Sequence, residues 1–215
     1  MQSNFPNGSS APLNERFTLV LLTHNQPRAV RRALRYYSAW PCNVLVVDSS
    51  LEADADIAAT FAGAQYLHVP APRAEHFSYR VRQVIGQITT PYMAVVEVES
   101  FLLPEALDQS LAFLEANDDY GTCQGYSLAY EAHADRVDYY LRDRKGCEDY
   151  SNDSAEARLA ILNRDCPSLA NAVTRTRIIQ RWFASLASDF NPNLRGNGYS
   201  DGLTAGGKVR LLPAP

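Results

Sequence analysis

The chain has 215 residues, enough for one domain or at most two small ones. Hydrophobic residues make up 46% and charged residues 20%, an ordinary globular composition that excludes disorder, collagen and coiled coil. The formal net charge is −4, which argues against nucleic acid as a partner, because affinity for the phosphate backbone comes from clustered Lys and Arg.

Residues 1–15 are rich in Ser, Asn, Pro and Gly and lack apolar periodicity. We expect them to form a flexible leader, followed by one domain over residues 16–215. They also lack the basic start and apolar stretch of a secretion signal.

Strands and helices alternate through residues 17–116. Near-continuous apolar runs predict buried strands over residues 17–22, 43–48, 65–69 and 92–96. Apolar residues at helical spacing predict helices that begin at Pro27, cover 53–62, and are built on residues 81–88 and 107–114. This alternation is typical of βαβ units, so the predicted fold class is α/β, with a mostly parallel sheet flanked by helices.

The pattern changes after residue 120. Residues 121–130 predict one strand, and the polar, Tyr-rich residues 131–152 predict a long excursion over the sheet. Asp153, with Glu156 three residues later, predicts the cap of a helix. Further predicted elements are a strand over 170–174, a helix on Ile179, Phe183 and Leu186, a Gly/Asn-rich loop over 191–207 and a last strand over 208–212.

Cysteine usage indicates the redox compartment. The four cysteines are scattered without any CxxC pair, so neither a zinc site nor a disulfide scaffold is expected. They are Cys42, Cys123, Cys147 and Cys166. We expect free thiols in a reducing cytoplasm, and therefore a cytoplasmic protein.

Two common signatures are not supported by their context. The first strand–loop–helix junction, residues 22–27, contains no glycine, whereas a dinucleotide fold needs glycine there, so NAD is not expected. Residues 198–202 match the GxSxG elbow of hydrolases. That elbow needs a downstream His, and the last His is His133, so a hydrolase triad in the usual order is excluded.

Polar residues mark the carboxyl ends of three predicted strands, where ligands of such sheets bind. The segments are Thr23-His24-Asn25, Asp48-Ser49-Ser50 and Glu97-Val98-Glu99-Ser100.

Four segments together carry a family resemblance. They are residues 17–27 (FTLVLLTHNQP), 46–50 (VVDSS), 90–104 (TPYMAVVEVESFLLP) and 206–213 (GGKVRLLP). In this order and spacing they resemble family 2 glycosyltransferases of the GT-A fold, especially the bacterial branch associated with surface polysaccharides. The resemblance covers nearly everything from residue 17 onward.

The resemblance implies a donor site for a nucleotide sugar. Asp48 corresponds to an Asp that accepts hydrogen bonds from uracil or ribose, and Thr23 and Asn25 would line the same pocket. Glu97 and Glu99 occupy the Asp-x-Asp position, where two carboxylates hold a Mn or Mg ion that offsets the charge of the donor diphosphate. Glu97 would also contact the nucleotide. Glutamate is one methylene longer than aspartate, so a degenerate site that binds no metal stays open.

The resemblance also implies a catalytic base shortly before the closing strand. Asp201 is the best positional match and Asp153 the second; a solvated loop aspartate is the alternative interpretation of Asp201. The implied reaction is transfer of a sugar, with inversion, from a UDP-linked donor to a glycan or lipid-linked acceptor, which leaves peripheral membrane association open. The rival hypothesis is a non-catalytic nucleotide-binding or assembly module of the same fold.

Overall fold

An eight-stranded sheet organises the chain in the computed structural model, which describes residues 11–61, 63–71, 77–141, 149–165, 168–186 and 197–213. The strands are β1 Phe17–Thr23, β2 Asn43–Asp48, β3 Ala64–His68, β4 Tyr92–Glu97, β5 Tyr120–Gln124, β6 Leu128–Ala132, β7 Val137–Leu141, β8 Asp149–Tyr150, β9 Val173–Arg175 and β10 Lys208–Leu211. Their order in the sheet is β3-β2-β1-β4-β9-β5-β10-β8, and β6 and β7 pair separately as a hairpin.

Helices connect the strands and cover both faces of the sheet. They are α1 Leu13–Arg16, α2 Pro27–Tyr37, α3 Ala55–Thr60, α4 Phe77–Val84, α5 Pro104–Ala116, α6 Ala155–Asp165, α7 Thr176–Ser185 and α8 Asn197–Gly206, with a 3₁₀ turn at Ile85–Gln87. β3, β2, β1 and β4 run parallel, as do β5 and β10, whereas β9 and β8 run antiparallel to their neighbours. The predicted α/β class with a mostly parallel sheet is confirmed.

Two apolar layers bury the sheet. β1 is buried along its whole length, and its alternate residues point to opposite faces. Leu19 and Leu21 pack with α2 and α5, whereas Val20 and Leu22 pack with α4, α7 and α8. Burial of one such side chain stabilises the fold by about 1.5–3 kcal/mol. The two layers explain why the strand sequences are apolar without alternation.

The prediction of a flexible leader over residues 1–15 is corrected at its C-terminal end. Residues 1–10 lie outside the described residues, but Leu13–Arg16 forms α1. Leu13 is buried, and Arg16 pairs with Glu115 of α5 at 2.9 Å. Residues 13–15, which end the predicted leader, are therefore packed on the domain.

The single strand predicted over residues 121–130 is wrong. β5 ends at Gln124, and β6 begins at Leu128 and pairs with β7 in the hairpin. Most large apolar side chains of the hairpin are exposed, Tyr139 at 68%. β6 therefore lies outside the core.

Two predictions around α6 and α8 are also wrong. Ser154, rather than Asp153, caps α6, because its Oγ accepts a hydrogen bond from the Ala157 N–H at 3.3 Å. Residues 197–206 of the predicted loop 191–207 form helix α8. Residues 191–196 lie outside the described residues.

Candidate functional site

The pleat of the sheet places Thr23 and Asp48 side by side. They are register partners at the carboxyl ends of β1 and β2, and both lie on the face that carries Leu21 and Val46. A cleft of about 570 Å³ opens here between these strand ends, α2 and α3. Its lining includes Thr23, Asn25, Gln26, Arg31, Asp48, Ser50 and Asp54. The size suits a small-molecule ligand.

Asp48 is held firmly by the protein. The residue is only 3% exposed. Its Oδ1 accepts hydrogen bonds from the N–H of Ser50, at 2.9 Å, and from the Ser50 hydroxyl. Its Oδ2 accepts one from the Tyr66 hydroxyl at 2.6 Å. Burial, together with this bond to Asp48, raises the pKa of Tyr66 to about 12, so the phenol keeps its proton and stays the donor.

Thr23 and Asn25 lie beside Asp48 in the cleft. The Thr23 hydroxyl is buried and has no hydrogen-bond partner among the described residues. Asn25 has a φ of 55°, a left-handed conformation that asparagine tolerates well. Its N–H donates to the Ser50 hydroxyl at 2.7 Å, which fixes the β1 exit against the β2 exit. Three of the four predicted nucleotide-site residues, Thr23, Asn25 and Asp48, are thus brought together.

Glu97 and Glu99 lie at the same edge, and both are exposed. Glu97 ends β4 and faces Arg80 of α4, on the other side of the sheet from the cleft, whereas Glu99 lies in the turn that follows, which the Ser100 N–H closes by donating to the Glu97 backbone oxygen at 2.8 Å. Glu99 Oε1 accepts a hydrogen bond from Gln26 Nε2, a cleft residue, at 2.7 Å. This contact joins the acidic pair to the rim of the cleft.

Arg80 is the buried cation at this edge, and sequence reasoning missed it. It lies on α4 and is 2% exposed. Its Nη1 donates to the backbone oxygen of Thr23 at 3.2 Å, and its Nη2 lies 3.8 Å from Glu97 Oε1. Nothing in the sequence distinguishes it from the arginines of a solvated helix face, because its partners are distant along the chain.

Asp201 lies in α8, not in the flexible glycine-rich loop that the sequence predicts. Its Oδ1 is buried without a hydrogen-bond partner in the described part of the chain. Burial raises the pKa of Asp201 above the usual range. The preceding Ser200 is buried, and its Oγ accepts a hydrogen bond from the Leu169 N–H at 3.1 Å, a structural contact consistent with rejecting the hydrolase elbow. Asp153 is exposed and pairs with Lys208 at 3.0 Å.

Three further findings concern metal, membrane and thiols. Among the described residues, no cluster of three or more His, Cys, Asp or Glu could hold a metal ion. None of the helices in the described ranges has the length and apolarity needed to cross a bilayer. Cys42 and Cys123 are free, as predicted, and burial raises the pKa of each thiol to about 12; Cys147 and Cys166 lie outside the described residues.

No protein-family model matches the sequence, and no curated protein matches it. Solved structures match by shape. The fragment 1–349 of S. aureus TarS has a TM-score of 0.65 at 12% identity, covering 93% of this chain and 58% of that one. Mannosyltransferase PcManGT from Pyrobaculum calidifontis, in complex with GDP-Man and Mn²⁺, has a TM-score of 0.58 at 12% identity, covering 97% and 56%. CMP:2-keto-3-deoxy-manno-octonic acid synthetase with CTP has a TM-score of 0.53 at 9% identity, covering 93% and 90%.

These similarities show the fold. The chain has a GT-A-like fold, an architecture shared by the mannosyltransferase and the synthetase. It spans 35% of the longer S. aureus TarS chain and 58% of its fragment.

Proposed function

We propose that this chain is a glycosyltransferase that moves a sugar from a UDP-linked donor to a hydroxyl of a glycan or lipid-linked acceptor. One observation carries the proposal: the paired strand ends at Thr23 and Asp48 form a cleft at the carboxyl edge of the sheet, with a carboxylate that Ser50 and Tyr66 hold in a fixed position. A fixed carboxylate in the wall of a cleft suits a ligand that donates a hydrogen bond. Asp48 would accept a hydrogen bond from the uracil or ribose, and Asn25 would line the same pocket.

The ligands of the structural neighbours support a nucleotide at this edge. The mannosyltransferase is in complex with GDP-Man and Mn²⁺, and the synthetase with CTP. Open α/β sheets bind such ligands outside the carboxyl ends of their strands, which is where the cleft lies.

Glu97 and Glu99 fit a hard divalent cation in donor chemistry, since carboxylates are suitable ligands of Mg and Mn. Two carboxylates leave most coordination positions to water and to phosphate oxygens of the donor. A bound ion would offset the charge that develops on the departing diphosphate. Arg80 supplies a fixed positive charge at the same edge, 3.8 Å from Glu97, whether or not an ion is bound.

Asp201 is the proposed base. A partly buried carboxylate whose pKa is raised takes a proton more readily than an ordinary aspartate. Deprotonation of the acceptor hydroxyl would let its oxygen attack the anomeric carbon in line with the leaving diphosphate, and this single displacement inverts the configuration. The acceptor would approach beside the hairpin, where the Tyr130 hydroxyl donates to the backbone oxygen of Glu99 at 3.4 Å.

A thermal-shift and calorimetric titration with UDP tests the nucleotide site. Ligand at about 100 times Kd stabilises the folded state by ~2.7 kcal/mol, which corresponds to a rise in Tm of roughly 5–10 °C for a chain of this size. Asp48→Ala should weaken UDP binding at least ~10-fold, because it removes a charged hydrogen-bond acceptor. Asp48→Asn, which keeps the shape, separates this loss from misfolding.

Asp118→Ala is the matched control, since Asp118 is an almost fully exposed carboxylate that pairs with Arg175. It should bind UDP like the parent. UDP binding that is equal in the parent and both Asp48 variants would place the nucleotide elsewhere. Tight binding of UDP-sugars without any turnover, with every acceptor and metal tried, would favour the non-catalytic module.

A further inference from the structure

Tyr66 connects Asp48 to the helix wall of the cleft. Its hydroxyl donates to Asp48 Oδ2 at 2.6 Å and accepts a hydrogen bond from the Asp54 N–H at 3.0 Å. The Asp54 side chain caps α3 by accepting from the Ile57 N–H at 3.3 Å. Asp54 also binds Arg31 of α2 at 2.9 Å. A continuous set of hydrogen bonds therefore runs from α2 through α3 to the carboxylate.

These contacts leave Asp48 with little freedom. An ionised carboxylate has about four acceptor positions, two on each oxygen. Two donors of Ser50 occupy Oδ1, and Tyr66 occupies one position on Oδ2. One acceptor position on Oδ2 is left for a ligand in the cleft, and its direction is set by the bond from Tyr66.

We propose that Tyr66 is a positioning residue that makes the cleft selective for uracil over cytosine. This inference rests on the proposed function of the cleft. Uracil presents an N–H donor at N3, whereas cytosine presents an acceptor there, next to an amine donor at C4. A carboxylate fixed by Tyr66 accepts from the uracil N3–H and cannot turn to reach the displaced amine of cytosine. The Asp48 carboxylate oxygen and cytosine N3 would face each other as two acceptors without a donor between them, which disfavours cytosine.

Tyr66→Phe removes the hydroxyl while keeping the ring. The carboxylate of Asp48 then gains a second open position on Oδ2, and only the two Ser50 bonds to Oδ1 still orient it. Tyr120→Phe is the matched control, because the Tyr120 hydroxyl also donates to a carboxylate, Asp149 Oδ1, at 2.7 Å. Tyr120 and Asp149 lie in β5 and β8, on the opposite half of the sheet from the cleft.

The experiment measures Kd for UDP and CDP, which share ribose and diphosphate, by calorimetry on the parent and both variants. We expect the parent to prefer UDP by ~10-fold or more. Tyr66→Phe should weaken UDP binding about 10-fold and leave CDP binding within about 2-fold, so that the preference nearly vanishes. Tyr120→Phe should keep the preference of the parent. A role of Tyr66 in packing alone would weaken both nucleotides equally.

The outcomes separate this inference from the proposed function. A parent that binds neither nucleotide overturns both. A parent that binds UDP while Tyr66→Phe keeps the same UDP-to-CDP preference overturns the role of Tyr66 alone, as does a parent without preference. Urea midpoints establish that the variants fold. N3-methyl-UDP gives a readout on the parent itself: binding equal to that of UDP overturns the inference even if Tyr66→Phe fails to fold.

Discussion

Arg158 offers a direct test of the helix that replaces the predicted loop. It lies in α6 and is 6% exposed. Its Nε and Nη2 donate to the backbone oxygens of Thr204 and Ala205, at 2.9 and 3.0 Å. Its Nη1 donates to those of Asn152 and Asp153, at 2.7 and 3.0 Å. The carbonyls at residues 204 and 205 lie in the last turn of α8, where no further helical N–H is available.

We predict that Arg158→Met lowers the free energy of unfolding by about 3–5 kcal/mol. A hydrogen bond with a charged group contributes about 1.5–3 kcal/mol, but the four bonds share one guanidinium whose burial is itself costly, so they do not sum. The cation also interacts favourably with the negative end of the α8 dipole. Arg158→Lys keeps the charge with a different donor geometry and should lie between the parent and Arg158→Met.

Urea unfolding monitored by circular dichroism measures the effect as a lower midpoint with an unchanged m-value. The corresponding fall in Tm is roughly 10 °C. Arg177→Met, at an exposed arginine of α7, is the control and should lie within about 0.5 kcal/mol of the parent. An Arg158→Met variant as stable as this control would refute the idea that Arg158 anchors α8.

Two other predictions concern the chemistry. Asp201→Asn should keep UDP binding and lower the rate of sugar transfer by ~10²–10⁴-fold. Asp153→Asn, at the rival candidate, should transfer sugar at the rate of the parent. The base must be unprotonated, and burial raises the pKa of Asp201. As the pH is lowered, the transfer rate of the parent should therefore begin to fall at a higher pH than the pKa of an ordinary aspartate would give. Loss of transfer in Asp153→Asn instead of Asp201→Asn would make Asp153 the base. Manganese should tighten UDP binding by the parent but not by Glu99→Gln, whereas Glu131→Gln in the exposed hairpin should respond as the parent does. An equal response in all three would place the ion elsewhere.

The first half of the fold follows closely from the sequence. β1, β2 and β4 are buried on both faces, so their apolar runs are long and unambiguous. Pro27 begins α2 as predicted. Because parallel strands end at a common edge, the polar residues after them could be assigned to one site before any contact was known. Thr23 and Asp48 were predictable for this reason.

In the second half of the chain, the glycines led to the wrong prediction of a loop. Residues 191–207 contain glycines that, read locally, indicate a loop. In α8 they allow close packing instead: a Cβ on Gly202 would lie 2.4 Å from the Trp182 ring, and one on Gly206 would lie 2.6 Å from Ile178. A helix pressed against α7 needs small residues there. Local propensity cannot reveal this, since the reason is a tertiary contact.

The candidate site joins both faces of the sheet at one edge, which the sequence could not show. Thr23 and Asp48 project toward α2 and α3, whereas Glu97 belongs to the face of α4. Arg80 links the two, because it reaches the Thr23 backbone oxygen from the far side while facing Glu97. In the proposed reaction, residues on one face bind the nucleotide, and residues on the other face offset the charge of the diphosphate. A change in selectivity at Tyr66 should leave the manganese response intact, since the Tyr66 hydroxyl bonds Asp48 and Asp54 whereas the proposed ion site is formed by Glu97 and Glu99.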